Sequence, residues 1–221
     1  MQHANTPVWD LPLRLWHWVL VLLVITAIVT GKLGGNAAEW HMRSGYAILT
    51  LMLFRIGWGF IGTKHARFAS FVRGPRAISD YLRAKTPAPA GHNPVGALSV
   101  LALIAILLTQ AILGLFANDD VMIEGPLYTL VSKATSDRLT GWHQANVYVL
   151  LGLVGLHVTA VLYYLLARGE NLIRPMFTGH KEREPDTAYE TPALTSPAVL
   201  WRAACLLGIC SGGVWLLVTW T

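Results

Sequence analysis

The sequence predicts an all-α integral membrane protein, and three observations carry that prediction. The chain of 221 residues is 54% hydrophobic and only 13% charged, with a mean hydropathy of +0.48, whereas ordinary soluble domains carry roughly 25% charge. Uncharged runs long enough to cross about 30 Å of hydrocarbon recur along it. Between those runs, basic links alternate with non-basic ones.

The spans follow in order. The first, 15–31, comes after a stretch with Asp10 and several aromatics where a secretory signal would show a basic start and a small-residue cleavage site, so it is expected to be retained as an anchor. The second, 41–61, is weaker because it contains Arg43 and Arg55. Pro87, Pro89, Gly91 and Pro94 mark the entry to the third, 93–118, and the fourth is 141–167. Pro175, Pro185, Pro192 and Pro197 make the following link an irregular tether. The fifth span, 203–221, holds Cys205 and Cys210, about 140° apart around a helix. They share no face and form no redox or metal pair, which leaves them as buried small residues. No C-x-x-C-H motif is present, which excludes a covalently attached c-type haem.

The net charge of +5 is a matter of topology. The link 62–93 has Lys64, Arg67, Arg73, Arg76, Arg83 and Lys85 against Asp80 alone, and 168–197 has Arg168, Arg174, Lys181 and Arg183. The links 32–40 and 118–140 hold only Lys32, Lys133 and Arg138 as basic residues, the second together with Asp119, Asp120, Glu124 and Asp137. Under the positive-inside rule the N-terminus is cytoplasmic and the C-terminus outside, and nucleic-acid binding is excluded as the reason for the basicity.

Eight histidines are sorted by depth. His3, His65, His92 and His180 fall in links, where solvated imidazoles are ordinary, although His65 and His92 at the cytoplasmic edge are candidate proton acceptors. His17, His41, His143 and His157 lie in or against apolar spans, where an unpaired polar ring is costly and points to function. From His143 to His157 a helix climbs roughly 21 Å and returns within about 40° of the same face. Span directions then place His41 level with His143 near the outer surface, and His17 level with His157 on the cytoplasmic half.

Two imidazoles are too few for a closed zinc site, and no Cys, Asp or Glu shares their depth. Haem iron lacks only two axial ligands, and a flat apolar macrocycle suits a helix bundle at lipid depth. Two bis-histidine haem b sites are therefore expected. Gly45, Gly152 and Gly155 are small enough to let a porphyrin approach backbone, while Arg14, Arg43 and Arg55 are placed to neutralise propionates.

The stretches VWDLPLRLWHWVLVLLVITAIVTG, WHMRSGY, LFRIGWGFIG and WHQAN with GLH resemble the bacterial dihaem cytochrome b family, which includes the cytochrome b-561 type and the b-type subunits of nickel-iron hydrogenases. The resemblance covers about residues 8–180. It implies a four-helix bundle in the bacterial inner membrane with two non-covalent b haems, ligated at the positions of His17, His41, His143 and His157, exchanging electrons with a quinone and a partner redox protein. A tether, 181–197, and an additional transmembrane helix, 198–220, depart from that pattern.

Two functions are expected on this basis. One is an electron conduit between the quinone pool and a periplasmic partner such as a c-type cytochrome. The alternative is a haem-bearing membrane anchor for a nickel-iron hydrogenase or similar dehydrogenase. A proton-coupled transporter is disfavoured because no acid lies at mid-membrane to continue a relay, and no residue reads as a catalytic nucleophile. The fifth helix, with Gly208, Ser211, Gly212 and Gly213, is expected to pack on the bundle or on a partner.

Overall fold

Five helices long and apolar enough to cross a membrane dominate the chain in the computed structural model, which describes residues 4–83, 91–121, 123–183 and 195–220. They are α1 (Leu11–Leu33), α2 (Ala38–Ile61), α5 (Pro94–Leu115), α6 (Lys133–Ala167) and α8 (Pro197–Thr219). Two short helices, α3 (Phe68–Phe71) and α4 (Pro75–Leu82), occupy the long link after α2. A third, α7 (Ile173–Thr178), follows α6.

The helix starts are written in local chemistry. Asp10 precedes α1 and its Oδ1 accepts the Leu13 amide at 2.7 Å. Asn93 and Ser196 cap α5 and α8 in the same way, accepting Gly96 N at 2.6 Å and Val199 N at 3.4 Å, each followed by a proline whose missing N–H costs nothing at that position. Such caps satisfy amides that the first turn cannot pair internally.

The start of one helix is corrected. The fourth span is the 35-residue helix α6, starting at Lys133 and not at 141. An uncharged run measures hydrocarbon depth, whereas the helix extends a further two turns through Lys133, which pairs with Asp137 at 2.7 Å. The fifth helix, α8, begins at Pro197, one residue before the expected 198, with Arg202 inside it and donating to the carbonyls of Ala198 and Ile61. The described start of the link after α6, residues 168–183, is folded. Beyond α7, β2 (His180–Arg183) pairs antiparallel with β1 (Ala4–Pro7), with Pro7 opposite His180. Most of the segment 181–197, its residues 184–194, lies outside the described residues.

By its contacts the chain divides into two compact units. One comprises residues 1–15, 55–101 and 155–204; the other comprises 16–54, 102–154 and 205–221. In the second unit, Leu20, Ile48, Met52, Leu107 and Leu150 form one buried cluster from four helices, with Trp16 packed against it and its indole N–H bonded to the Leu51 carbonyl at 2.7 Å. A second cluster joins Leu49 of α2, Leu115 of α5 and Val214 of α8. The fifth helix thus packs on the bundle. The side chains it buries are Val199, Ala203, Cys210 and Val214, at helical spacing, while Gly208, Gly212 and Gly213 have open space where a Cβ would stand.

In the first unit the core is polar as well as apolar. Asp10 is fully buried and accepts the Trp58 indole N–H at 3.1 Å and the Thr63 hydroxyl at 2.5 Å. Arg55, also buried, lies over the rings of Phe68 and Phe71 at 4.9 and 5.9 Å.

Candidate cofactor site

In the second unit, α2 and α6 bring His41 and His143 together, their ring centroids 6.0 Å apart and their planes at 89°. Each ring is seated by the same local device on a neighbouring helix. His41 lies across Gly31 of α1, where a Cβ would stand 2.8 Å from its Nδ1, and that nitrogen is 2.8 Å from the carbonyl of Ala27, one turn earlier. His143 lies across Gly114 of α5, where a Cβ would stand 3.1 Å from its Cε1, and its Nδ1 is 3.0 Å from the carbonyl of Gln110, again one turn earlier. In both cases a glycine opens the helix surface so that an imidazole reaches a carbonyl already used within the helix.

A carbonyl only accepts, so both Nδ1 atoms carry the proton and both Nε2 atoms keep a lone pair. This is the arrangement in which an imidazole binds a metal, with its far nitrogen oriented by backbone. At His143 the lone pair accepts the amide N–H of Gln110 at 3.2 Å, and Gln110 Oε1 accepts from Asn146 at 2.7 Å. Asn146 also donates to the Ile106 carbonyl at 3.2 Å. Ligation by His143 therefore requires the Gln110 carboxamide to move off Nε2.

The residues fit haem. Two imidazoles on one iron, each at a metal–nitrogen distance of about 2.0–2.1 Å, have centroids roughly 6 Å apart. Both rings line a cavity of about 700 Å³, counted with its open mouth, whose other walls include Val24, Ile28, Tyr46, Leu107 and Leu115. Gly45 of α2 lies on that wall with nothing within 4 Å of its missing Cβ; Gly152 and Gly155 of α6 have the same open space but do not line the cavity. Among the described residues no group of three or more His, Cys, Asp or Glu converges.

The remaining expected residues fall in different settings. His17, half-buried in the second unit, stands edge-on to Trp18 at 5.0 Å. His157, also half-buried, belongs to the first unit. Arg43 is exposed, paired with Glu39 at 2.5 Å and lying over Trp40. Arg55 shares its buried surroundings with Asp10, as described above. Arg14 donates through Nη1 to the Phe177 carbonyl.

His92 is not the solvated link residue expected. Its ring stacks between Trp9 and Phe71, 4.7 Å from each, and its Nδ1 is buried without a hydrogen-bond partner among the described residues. The link folds back on the helix ends, and desolvation, followed by the charges of Arg55, His65 and His157, pushes its pKa down to about 3. His65 is also lowered, by burial and then by Lys64. Both are neutral at pH 7 and both are weaker proton acceptors than a free imidazole.

Sequence reasoning missed Gly31 and Gly114, since nothing local pairs a glycine with a histidine on another helix. It also missed Gln110 and Asn146, although Gln110 is a polar residue inside an apolar span and carried the usual signal of intramembrane function.

The chain is 27% identical to a protein of Azotobacter vinelandii described as a probable Ni/Fe-hydrogenase B-type cytochrome subunit, over 81% of this chain and 90% of that one. Proteins of the same description from Escherichia coli K12 and Rhodobacter capsulatus are 24% and 20% identical, over 80% and 84% of this chain and 91% and 84% of theirs. No solved structure matches. A sequence profile of the prokaryotic cytochrome b561 family covers residues 8–179, and the chain, a multi-pass membrane cytochrome of the b type, belongs to that family.

Proposed function

We propose that the protein is the haem-bearing membrane anchor of a nickel-iron hydrogenase or a similar dehydrogenase, linking that enzyme to the quinone pool. The neighbouring pair His41 and His143, each with its Nδ1–H donating to a carbonyl, is the observation that carries the reading. The descriptions of the relatives favour a hydrogenase as partner over a c-type cytochrome. Haem supplies one-electron redox chemistry when bound.

The chain's own residues do the rest. His41 and His143 present Nε2, and the carbonyls behind them fix the rings and raise their basicity as ligands. Val24, Ile28 and Leu107 keep water from the site, which is one of the levers that sets a haem potential. A second haem, at His17 and His157, is supported by their depth in the sequence. Arg43 is the candidate for the propionates of the first haem and Arg55 for those of the second. The charge of the links supports a cytoplasmic N-terminus, and the family supports the bacterial inner membrane as the location.

The test is a set of single His→Ala variants of the full chain, read as non-covalent haem per polypeptide and as retention of a dehydrogenase on affinity purification from native membranes. His41→Ala and His143→Ala are expected to lose the same one of two haems, and His17→Ala and His157→Ala the other. One haem per wild-type chain, or loss of a common haem on changing His17 and His143, refutes the assignment of ligands. A purified chain that never carries a hydrogenase or other dehydrogenase refutes the anchor role.

A further inference from the structure

The haem reading leaves a polar pocket in the first unit unused. It holds about 490 Å³, counted with its open side, and is lined by Arg14, Trp9, Thr178, Gly179, His180 and Thr195 among others, with no acidic residue among the described residues that line it. It is a built feature of the fold. Gly179 closes α7 in the left-handed conformation, φ +83°, and its carbonyl accepts the amides of Val8 and Trp9 at 2.8 and 3.1 Å. The pairing of Pro7 with His180 continues that closure. A Cβ at 179 would meet the Trp9 carbonyl at 2.9 Å and the Arg14 guanidinium at 3.3 Å, so the glycine is what allows the arginine to lie flat against this turn.

Arg14 is held there half-satisfied. Its Nη1 donates to the Phe177 carbonyl, while its Nε–H is buried and meets no acceptor among the described residues. A buried guanidinium donor without a partner is costly. The Nε edge of a guanidinium is also the fork that takes two oxygens of one phosphate or carboxylate. The position decides between them. Arg14 is in the first turn of α1, at the level where that helix enters the apolar zone, and the apolar side chains around it, Leu15 and Phe177, are 57% and 61% exposed. A ligand with an oxyanion for the pocket and hydrocarbon for those side chains matches both.

We propose that this pocket binds the phosphate of an anionic phospholipid headgroup, with Arg14 as its principal contact and the Thr195 hydroxyl and His180 ring as further polar walls. The lipid ties the start of α1 to the turn after α7. Arg14 is then a lipid ligand and not a propionate partner.

The experiment uses the full chain with haem, reconstituted in nanodiscs of phosphatidylcholine containing a minor fraction of phosphatidylglycerol, and counts lipid retained on the protein by native mass spectrometry. Wild type is expected to retain phosphatidylglycerol in preference to phosphatidylcholine, and Arg14→Gln to lose that preference about tenfold or more, with both haems kept. Should Arg14→Gln fail to fold, Thr195→Val, an exposed position outside any helix, is expected to weaken the preference in the same direction. Equal preference in wild type and Arg14→Gln overturns the proposal, as does loss of haem from Arg14→Gln with lipid retention unchanged. Inorganic phosphate that raises the melting temperature in detergent as much as phosphatidylglycerol does would identify a soluble anion as the source and overturn the lipid assignment.

Discussion

Replacing Gly31 by alanine tests the seat of His41 directly. The added Cβ would lie 2.8 Å from Nδ1 and 2.9 Å from Cε1 of the imidazole, closer than any stable contact, so the ring must move and its bond to the Ala27 carbonyl is lost. A net hydrogen bond is worth about 0.5–1.5 kcal/mol, and about 1.4 kcal/mol is a factor of ten in affinity. Haem at that site is therefore expected to bind about three- to tenfold more weakly, before any misplacement of Nε2 is added. The helix itself works in the other direction, since glycine to alanine in a helix interior stabilises by roughly 0.5–1 kcal/mol. Haem affinity and helix stability should move oppositely, which a general loss of fold would not produce. Gly114→Ala is the internal control, because its nearest contact is 3.1 Å and a shift of a few tenths of an ångström relieves it. Titration of haem into the purified, haem-depleted chain, followed by the Soret band, ranks the three proteins. Haem affinity in Gly31→Ala equal to wild type, or weaker binding in Gly114→Ala than in Gly31→Ala, refutes the reasoning.

Two further outcomes follow. Because His92 is held near a pKa of about 3 against 6.5 for a free imidazole, the unfolded chain binds the extra proton between those values, and stability falls as pH falls through that window. A single proton contributes a slope of at most about 1.4 kcal/mol per pH unit; the melting temperature of His92→Gln should drop less between pH 7 and pH 5 than that of wild type, and equal drops would show that His92 is not the group concerned. Ending the chain before α8 removes Val214 from behind Leu49 and Leu115, with Tyr46 and Leu115 also lining the cavity of His41 and His143. Haem content should persist in the freshly purified truncated chain while its melting temperature falls, and a chain purified without haem would place α8 in the core.

Much of the fold was legible because a bilayer leaves few solutions. With no water to take backbone polar groups, each long apolar run had to be a helix; four of the five were placed from uncharged runs and the second, 41–61, in spite of Arg43 and Arg55. The start of the fourth was less legible, since Lys133 and Asp137 lie on a helix that continues past the hydrocarbon. At the site, the depth of His41 and His143 followed from span direction alone, and the structure puts those two rings 6.0 Å apart. The glycines beneath them were illegible for a physical reason. A glycine in a span announces only that some neighbour comes close, and which neighbour is a property of helix packing that a linear spacing does not encode.

Asp10 shows how the same physics reverses the meaning of a residue. At the level of sequence it argued only against a signal peptide, yet it is fully buried with three donors on its two oxygens: the Leu13 amide, the Trp58 indole and the Thr63 hydroxyl. Both oxygens of a carboxylate so placed are satisfied by those three donors, so its burial leaves no acceptor unmet. It sits in the same unit as the buried guanidinium of Arg55, and the two interact electrostatically. Removing one charge leaves the other buried without compensation, which costs more than the pair contributes. The second unit solves its polar problem without charge, through imidazole N–H groups on helix carbonyls. A neutral pocket would suit a metal whose ligands must keep their lone pairs, whereas in the first unit the buried charges are held by three hydrogen-bond donors on Asp10 and by the rings of Phe68 and Phe71 over Arg55.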